Sequence, residues 1–174
     1  MMIETLELQQ DRTRMQAALS DGLLNGEMRI EEQGRLLTIL RYQQGVLHGK
    51  MENWHPNGQL ALEQMYQHGR LHGVARYFSP EGKLVREEHW HDGEQHGESR
   101  SFYPSGALHL REQWLHGLRH QCSEQFYPDG ALALRQYYEQ GKLKKETERW
   151  LPDGRIIGAD GKLQSRLSKW TERL

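Results

Sequence analysis

The sequence predicts an all-β fold: an elongated, single-layer antiparallel sheet of 24-residue β-hairpin repeats with a short C-terminal capping helix. Three observations predict it. The stretches FYPSGALHLREQWLHG (102–117) and FYPDGALALRQYYEQG (126–141) are near copies set 24 residues apart. Pro56, Pro80, Pro104, Pro128 and Pro152 keep that step, each followed two positions later by Gly58, Gly82, Gly106, Gly130 or Gly154. Only 36% of the 174 residues are apolar and 27% are charged, a lean composition for a compact two-layer globule. Self-similarity at a fixed period is the mark of repeat architectures, in which each unit buries its apolar strip only by stacking on its neighbours.

The elements follow in chain order. Residues 1–21 read either as a degenerate hairpin or as a capping helix, and periodicity does not decide between them. Residues 22–157 are hairpin repeats. The first copy is worn: Gly22, Gly26, Gly34, Leu36 and Tyr42 align with later columns, one residue short between Gly26 and Gly34. In the full copies an aromatic stands two before each Pro (Trp54, Phe78, Phe102, Phe126, Trp150) and Leu60, Leu84, Leu108, Leu132 or Ile156 stands four after it. A second aromatic follows at Tyr66, Trp90, Trp114 and Tyr138, and a second glycine series runs Gly45, Gly69, Gly93, Gly117, Gly141. HGESRSFYP reads as a first strand. Pro-Ser-Gly is the turn, with Pro fixing φ and Gly free to take positive φ. ALHLREQWLHG is the return strand. Period-2 alternation there places Leu108, Leu110 and Trp114 on one face, and His109, Arg111 and Gln113 on the other. The apolar strip of each unit is thus the first aromatic, the Leu and the second aromatic. Strands lie about 4.8 Å apart, so two per unit add roughly 10 Å and six units give a sheet on the order of 60 Å long. Residues 158–174 form the C-terminal segment. Leu163, Leu167, Trp170 and Leu174 fall at helical spacing over 161–174, which reads as an amphipathic helix capping the last hairpin or binding a partner.

Composition excludes several classes of function. The net charge of −1 leaves no basic footprint for nucleic acid, and it counts against an anionic membrane surface. Cys122 is the only cysteine, so no intrachain disulfide forms and a reducing, cytoplasmic setting fits. The N-terminal MMIETLELQQ has no apolar h-region of a secretory signal. No apolar run approaches the roughly 18–20 residues of a membrane span.

Residues capable of chemistry are present but not grouped for it. His48, His72, His96 and His120 recur every 24 residues. Successive copies stand roughly 10 Å apart, too far for two ligands of one zinc ion. They are expected to hydrogen-bond their local turns instead. His89 and His91 share a strand face as a weaker candidate pair. Cys122 and His120 would share another, with nothing to suggest a pocket around them. There is no phosphate-binding Gly loop, nucleophile elbow or zinc-protease motif. The expectation is a chain that is not an enzyme and carries no cofactor and no metal.

What remains is surface. Glu52, Arg76, Arg100, Glu124 and Glu148 each stand two residues before a first-strand aromatic. Alternation sets them on the aromatic face, and they are the candidate partner-binding residues. Their plain reading is ladder pairing between strands; their functional reading is a recognition surface for a folded protein.

The pattern G-x-x-H-G-x-x-x-x-Φ-Y-P-x-G-x-L over residues 22–156 resembles the MORN repeat, and more closely its bacterial variant, in which Phe-Tyr-Pro or Trp-His-Pro replaces a Tyr-x-Gly-x-Trp core. Proteins built from that variant resemble YwqK-type antitoxin components. The resemblance implies a non-catalytic antitoxin or immunity protein that binds a cognate toxin or effector protein. A structural or membrane-associated MORN-type scaffold is the alternative. The open sheet ends leave a homodimer through those ends as a further expectation.

Overall fold

A local hydrogen-bond pattern, repeated at every Pro-x-Gly, builds the molecule. The computed structural model describes residues 3–158 and 160–163. In each turn the glycine N–H donates to the carbonyl of the residue before Pro: Gly58 to His55, Gly82 to Ser79, Gly106 to Tyr103 and Gly154 to Leu151, all at 2.8 Å. Pro supplies its fixed φ, and Gly58 takes φ +85°, a left-handed value that a Cβ would strain. The result is a three-residue hairpin loop between antiparallel strands.

Seventeen strands and no helix occur among the described residues. They fall into two units, residues 1–95 and 96–174. In the first, β1 (Ile3–Gln10), β2 (Thr13–Ser20), β3 (Leu23–Glu32) and β4 (Arg35–Gln43) pair in succession. Then come β5 (Val46–Leu47), β6 (Gly49–Trp54), β7 (Leu60–Gln67), β8 (Arg70–Leu71), β9 (Gly73–Phe78) and β10 (Leu84–His91), every pairing antiparallel. The second unit continues the style with β11 (Glu94–Phe102), β12 (Leu108–Leu115), β13 (Leu118–Phe126), β14 (Leu132–Glu139), β15 (Lys142–Leu143), β16 (Glu148–Trp150) and β17 (Ile156–Ile157). The N-terminal segment is therefore a hairpin, turned by Asp11 at φ +53°. At the other end, the helix expected over 161–174 does not begin at 161. Gly161 N–H donates to Gly158 O, Asp160 Oδ1 accepts from Lys162 N–H, and Leu163 bridges back to Ile157, so Gly158, Asp160, Gly161 and Lys162 belong to one more turn with the same hydrogen bonds. Residues 164–174, and with them the rest of that helix, lie outside the described residues.

Two irregularities recur. The first is a bulge just after the turn. Trp54 faces Leu60 but Asn53 faces Leu62, and likewise Phe102 faces Leu108 while Ser101 faces Leu110. One extra residue (Ala61, His109) flips the alternation of the return strand. Leu108 and Arg111 therefore share the Phe102 face, whereas Leu110, Glu112 and Trp114 occupy the other. The unbroken alternation read from sequence is corrected here: each unit's apolar strip is divided between two faces. The second irregularity is the His-Gly step, where Gly49, Gly73 and Gly97 have φ +98°, +91° and +104°. In the next copy Gln121 occupies that position at φ +62°.

The sheet has no apolar core in the usual sense. Among the described residues the buried apolar side chains are Ala17, Ile39 and Ala75, and no large side chain is fully enclosed. The buried polar residues are more telling. At one position of the repeat a small residue faces a polar one: Ala75 faces Glu88 in the first unit, and Ser99 faces Glu112 and Ser123 faces Gln136 in the second. Glu88 is sealed beneath its neighbours and accepts hydrogen bonds from Tyr77 Oη, Trp90 Nε1 and Gln95 Nε2. In the next copy Arg119 takes the place of Gln95. Its Nε lies 2.8 Å from the buried Glu112 carboxylate, and its guanidinium lies over the Trp114 and Tyr138 rings. Where that polar residue is Gln64 or Gln136, the corresponding residue is Leu71 or Leu143. A buried charge is tolerated only with a polar cover.

Successive turns are also tied together. Tyr103 Oη donates to Phe126 O, Tyr127 Oη donates to Trp150 O, and His55 Nε2 lies against Phe78 O, each at 2.8 Å.

The Gln121 position gives a direct test of the second irregularity. A non-Gly residue in the left-handed region carries about 1 kcal/mol of strain that glycine lacks. Gln121→Gly should raise stability by about 0.5–1 kcal/mol in a urea melt, and unchanged or lower stability would contradict the bulge assignment.

Candidate protein-interaction face

The sequence-predicted residues Glu52, Arg76, Arg100, Glu124 and Glu148 stand on the same sheet face as their aromatics, and the bulge adds the residues between them. Glu63 lies opposite Glu52 and Arg76, Glu87 opposite Arg76, Arg111 opposite Arg100 and Glu124, and Arg135 opposite Glu124 and Glu148. Sequence reasoning missed Glu63, Glu87, Arg111 and Arg135 because unbroken alternation places them on the far face. The signal that could have found them is their own 24-residue column.

In the first unit the charges form a chain of alternating sign. Arg41 bridges Glu27 (3.1 Å) and Glu52 (3.0 Å), Lys50 bridges Glu52 (2.8 Å) and Glu63 (3.0 Å), and Arg76 bridges Glu63 (2.9 Å) and Glu87 (2.7 Å). In the second unit Glu124 receives Arg111 on one oxygen and Arg135 on the other, the latter at 2.9 Å, and Arg135 also approaches Glu148 at 3.7 Å. Arg100 turns to Glu98 at 3.2 Å. The two arginines on Glu124 lie over rings as well, Arg111 5.8 Å from the centre of Phe126 and Arg135 5.6 Å from that of Trp150.

Burial separates four of the carboxylates from the arginines. The carboxylates of Glu52, Glu63, Glu87 and Glu124 are 10% to 18% exposed, while Arg41, Arg76, Arg100, Arg111 and Arg135 keep 32% to 44%. These four acceptors point inward, while Glu27, Glu98 and Glu148 keep 33% to 40% exposure like the arginines, so half-exposed Arg, aromatic rings and those outer carboxylates all meet solvent. Arg and aromatics dominate binding hot spots, because they offer several donors or a large contact area at small entropic cost.

The cations also set the acid–base behaviour. Lys50, then Arg41, holds Glu52 below the usual carboxylate range. Burial pushes Glu63 and Glu124 up, but the hydrogen-bonded cations (Arg76 and Lys50 for one, Arg111 and Arg135 for the other) outweigh it and lower both.

The other chemically capable residues fall out differently. Cys122 is partly buried, and burial followed by the Glu124 charge pushes its thiol up, disfavouring thiolate. Gln121, in the left-handed region within β13, stands between Cys122 and His120 and upsets the regular alternation there. The counterparts of Cys122 in the other repeats are Lys50, Val74 and Glu98, and the small residues Ser99 and Ser123 belong to the neighbouring position. The recurring histidines do not simply bond their turns. His72 Nδ1 and His120 Nδ1 are buried without a hydrogen bond, and the rings of His48, His72 and His96 lie against His68, His91 and His116 at 5.4, 4.9 and 5.2 Å. Among the described residues no three His, Cys, Asp or Glu side chains form a ready-made metal cage.

With period, turns and faces in hand, comparison with known proteins gives the class. The MORN repeat variant family matches residues 47–68, 71–92, 95–115 and 132–150. The chain is a MORN-repeat protein. The unmatched interval contains Gln121, where the His-Gly signature is lost. No curated protein matches the chain. Among solved structures it is similar to one of accessory secretory proteins 1, 2 and 3 in Streptococcus pneumoniae (13% identity, TM-score 0.33, covering 68% of this chain and 19% of that one). It is also similar to TarM (12% identity, TM-score 0.32, covering 81% and 21%). The chain spans about a fifth of either protein, and neither likeness bears on function.

The charge ladder makes a pH prediction. A carboxyl whose folded pKa is depressed adds stability that is present above its unfolded value and lost as pH falls through the folded one. The unfolded value is near 4.3. Stability should therefore fall steeply from about pH 5 downward, and Glu124→Gln should flatten that fall while costing about 1–3 kcal/mol at pH 7. Denaturant melts of both proteins across that range check it; parallel curves would refute the ladder's role.

Proposed function

We propose that this chain is a non-catalytic protein-binding repeat protein that acts as an antitoxin or immunity protein, covering a cognate toxin or effector protein with its charged aromatic face. The observation that carries the reading is the set of four inward carboxylates, Glu52, Glu63, Glu87 and Glu124, held beneath half-exposed guanidiniums on that face. Inward carboxylates fix the guanidiniums in place, and a partner's carboxylates and backbone carbonyls find donors whose orientation is already set, so little entropy is lost on binding. A standard interface buries about 1,200–2,000 Å². Repeat scaffolds meet that need by adding equivalent strands side by side. MORN repeats are themselves generally non-enzymatic, and the likeness of the variant to YwqK-type antitoxin components supports the choice of partner. Lack of a basic footprint weighs against nucleic acid and lipid, and a cytoplasmic setting belongs to the same proposal.

The test is titration of the purified chain against the product of the neighbouring gene. Arg100→Glu should weaken binding at least tenfold, about 1.4 kcal/mol, with the melting temperature shifted by no more than a few degrees. Wild-type affinity in the variant would move the interface to the opposite face. No binding by the wild type would reject the antitoxin reading; liposome sedimentation would then test the scaffold alternative.

A further inference from the structure

The histidine edge of the first unit carries a binding site of a different kind. Gly93 N–H donates to Leu71 O at 2.8 Å, which lays the Asp92-Gly93 turn against the His72-Gly73 bulge. His72 and His91, 19 positions apart in sequence, thereby meet with ring centres 4.9 Å apart. Their Nδ1 atoms lie 3.6 and 3.7 Å from the two oxygens of the Asp92 carboxylate. His72 Nδ1 is buried and makes no hydrogen bond, and the Asp92 oxygen at 3.6 Å is beyond hydrogen-bond reach.

These distances suit a borderline divalent cation. With Zn–N near 2.0–2.1 Å and tetrahedral angles, two imidazoles on one ion hold their ring centres about 5.2 Å apart and adjacent donor atoms about 3.3 Å apart. Ring spacing is already within a few tenths of an ångström of that value. Each nitrogen–oxygen distance needs to contract by only about as much, through rotation of side chains that are 36% to 60% exposed. The three donors are not a finished cage, so the ion itself must draw Asp92 in. We propose that His72, His91 and Asp92 bind Zn2+ or a similar borderline cation, with water completing the shell. Imidazole nitrogen with one carboxylate favours such ions over Ca2+ or Mg2+, which want oxygen donors. Bound metal would join the bulge of one repeat to the turn of the next.

Calorimetric titration of the intact chain with zinc chloride at pH 7.5 tests it, alongside thermal melts with zinc and then with EDTA. Wild type should bind one equivalent with a micromolar dissociation constant and melt at a higher temperature with zinc, reversed by EDTA. His91→Gln, with its own apo melt as the reference for the zinc-dependent shift, should lose at least tenfold in zinc affinity; Asp92→Asn should lose a smaller factor. His48→Gln, in the separate His48–His68 pair, should retain wild-type affinity at the site. Absence of zinc binding by wild type at 100 µM, equal affinity in His91→Gln, or equal loss in His48→Gln would each overturn the proposal.

Discussion

A one-residue bulge behind each Pro-x-Gly turn decides what each face of this sheet contains. Without it, Arg111 and Arg135 point away from Glu124, and the carboxylate is a buried charge without those two cations. With it, the return strand turns over: in the first unit Glu63 and Glu87 join Glu52 and Arg76 on one face, with Lys50 between the two facing glutamates, and in the second Arg111 and Arg135 join Arg100, Glu124 and Glu148. The same inversion moves Leu110, Glu112 and Trp114 to the far face, where small residues leave room for a buried carboxylate. Everything distinctive about the two surfaces follows from that local irregularity.

The consequence for stability is an unusual balance of forces. A hairpin layer of this kind cannot enclose a large apolar side chain, and none is fully enclosed among the described residues. The aromatics are half-buried by lateral neighbours, and polar groups close-packed between strands take on part of the role of a core. Such groups stabilise only while every partner is present, since a desolvated carboxylate that loses its cation costs far more than a surface pair contributes. Glu88 and Glu112 show the rule at work: each has a polar residue, Gln95 or Arg119, where the repeats with glutamine have leucine. The same preorganisation that holds the sheet together sets guanidinium edges outward, so stability and recognition draw on one network.

Much of the fold was legible in the sequence because its rules are local. Proline's ring and glycine's freedom at positive φ place the turns, the 24-residue step places the strands, and the aromatic face could be assigned for the first strand of each unit. Three features were not legible, for distinct reasons. Bulge position is a matter of cross-strand register, which single-strand alternation does not contain, so Arg111 was assigned to the wrong face. The His72–His91 pair arises from a hydrogen bond between one repeat's bulge and the next repeat's turn, a spacing of 19 rather than 24 residues, so a search along the repeat column could not find it. At the C-terminal side, apolar spacing suggested a helix from residue 161, but Asp160 and Gly161 form a turn first. Periodicity leaves the N-terminal hairpin open because its turn, Asp11-Arg12, carries neither the Pro nor the Gly that marks the later turns.

The most direct measurement is a double-mutant cycle between Arg111 and Glu124. Unfolding free energies of wild type, Arg111→Gln, Glu124→Gln and the double variant isolate the coupling between the two side chains. If the bulge sets them on one face, the coupling should be at least about 1 kcal/mol at low salt, as for a hydrogen-bonded charge pair. Strictly additive effects would mean that Arg111 points to the opposite face, and the assignment of both surfaces would fall with it.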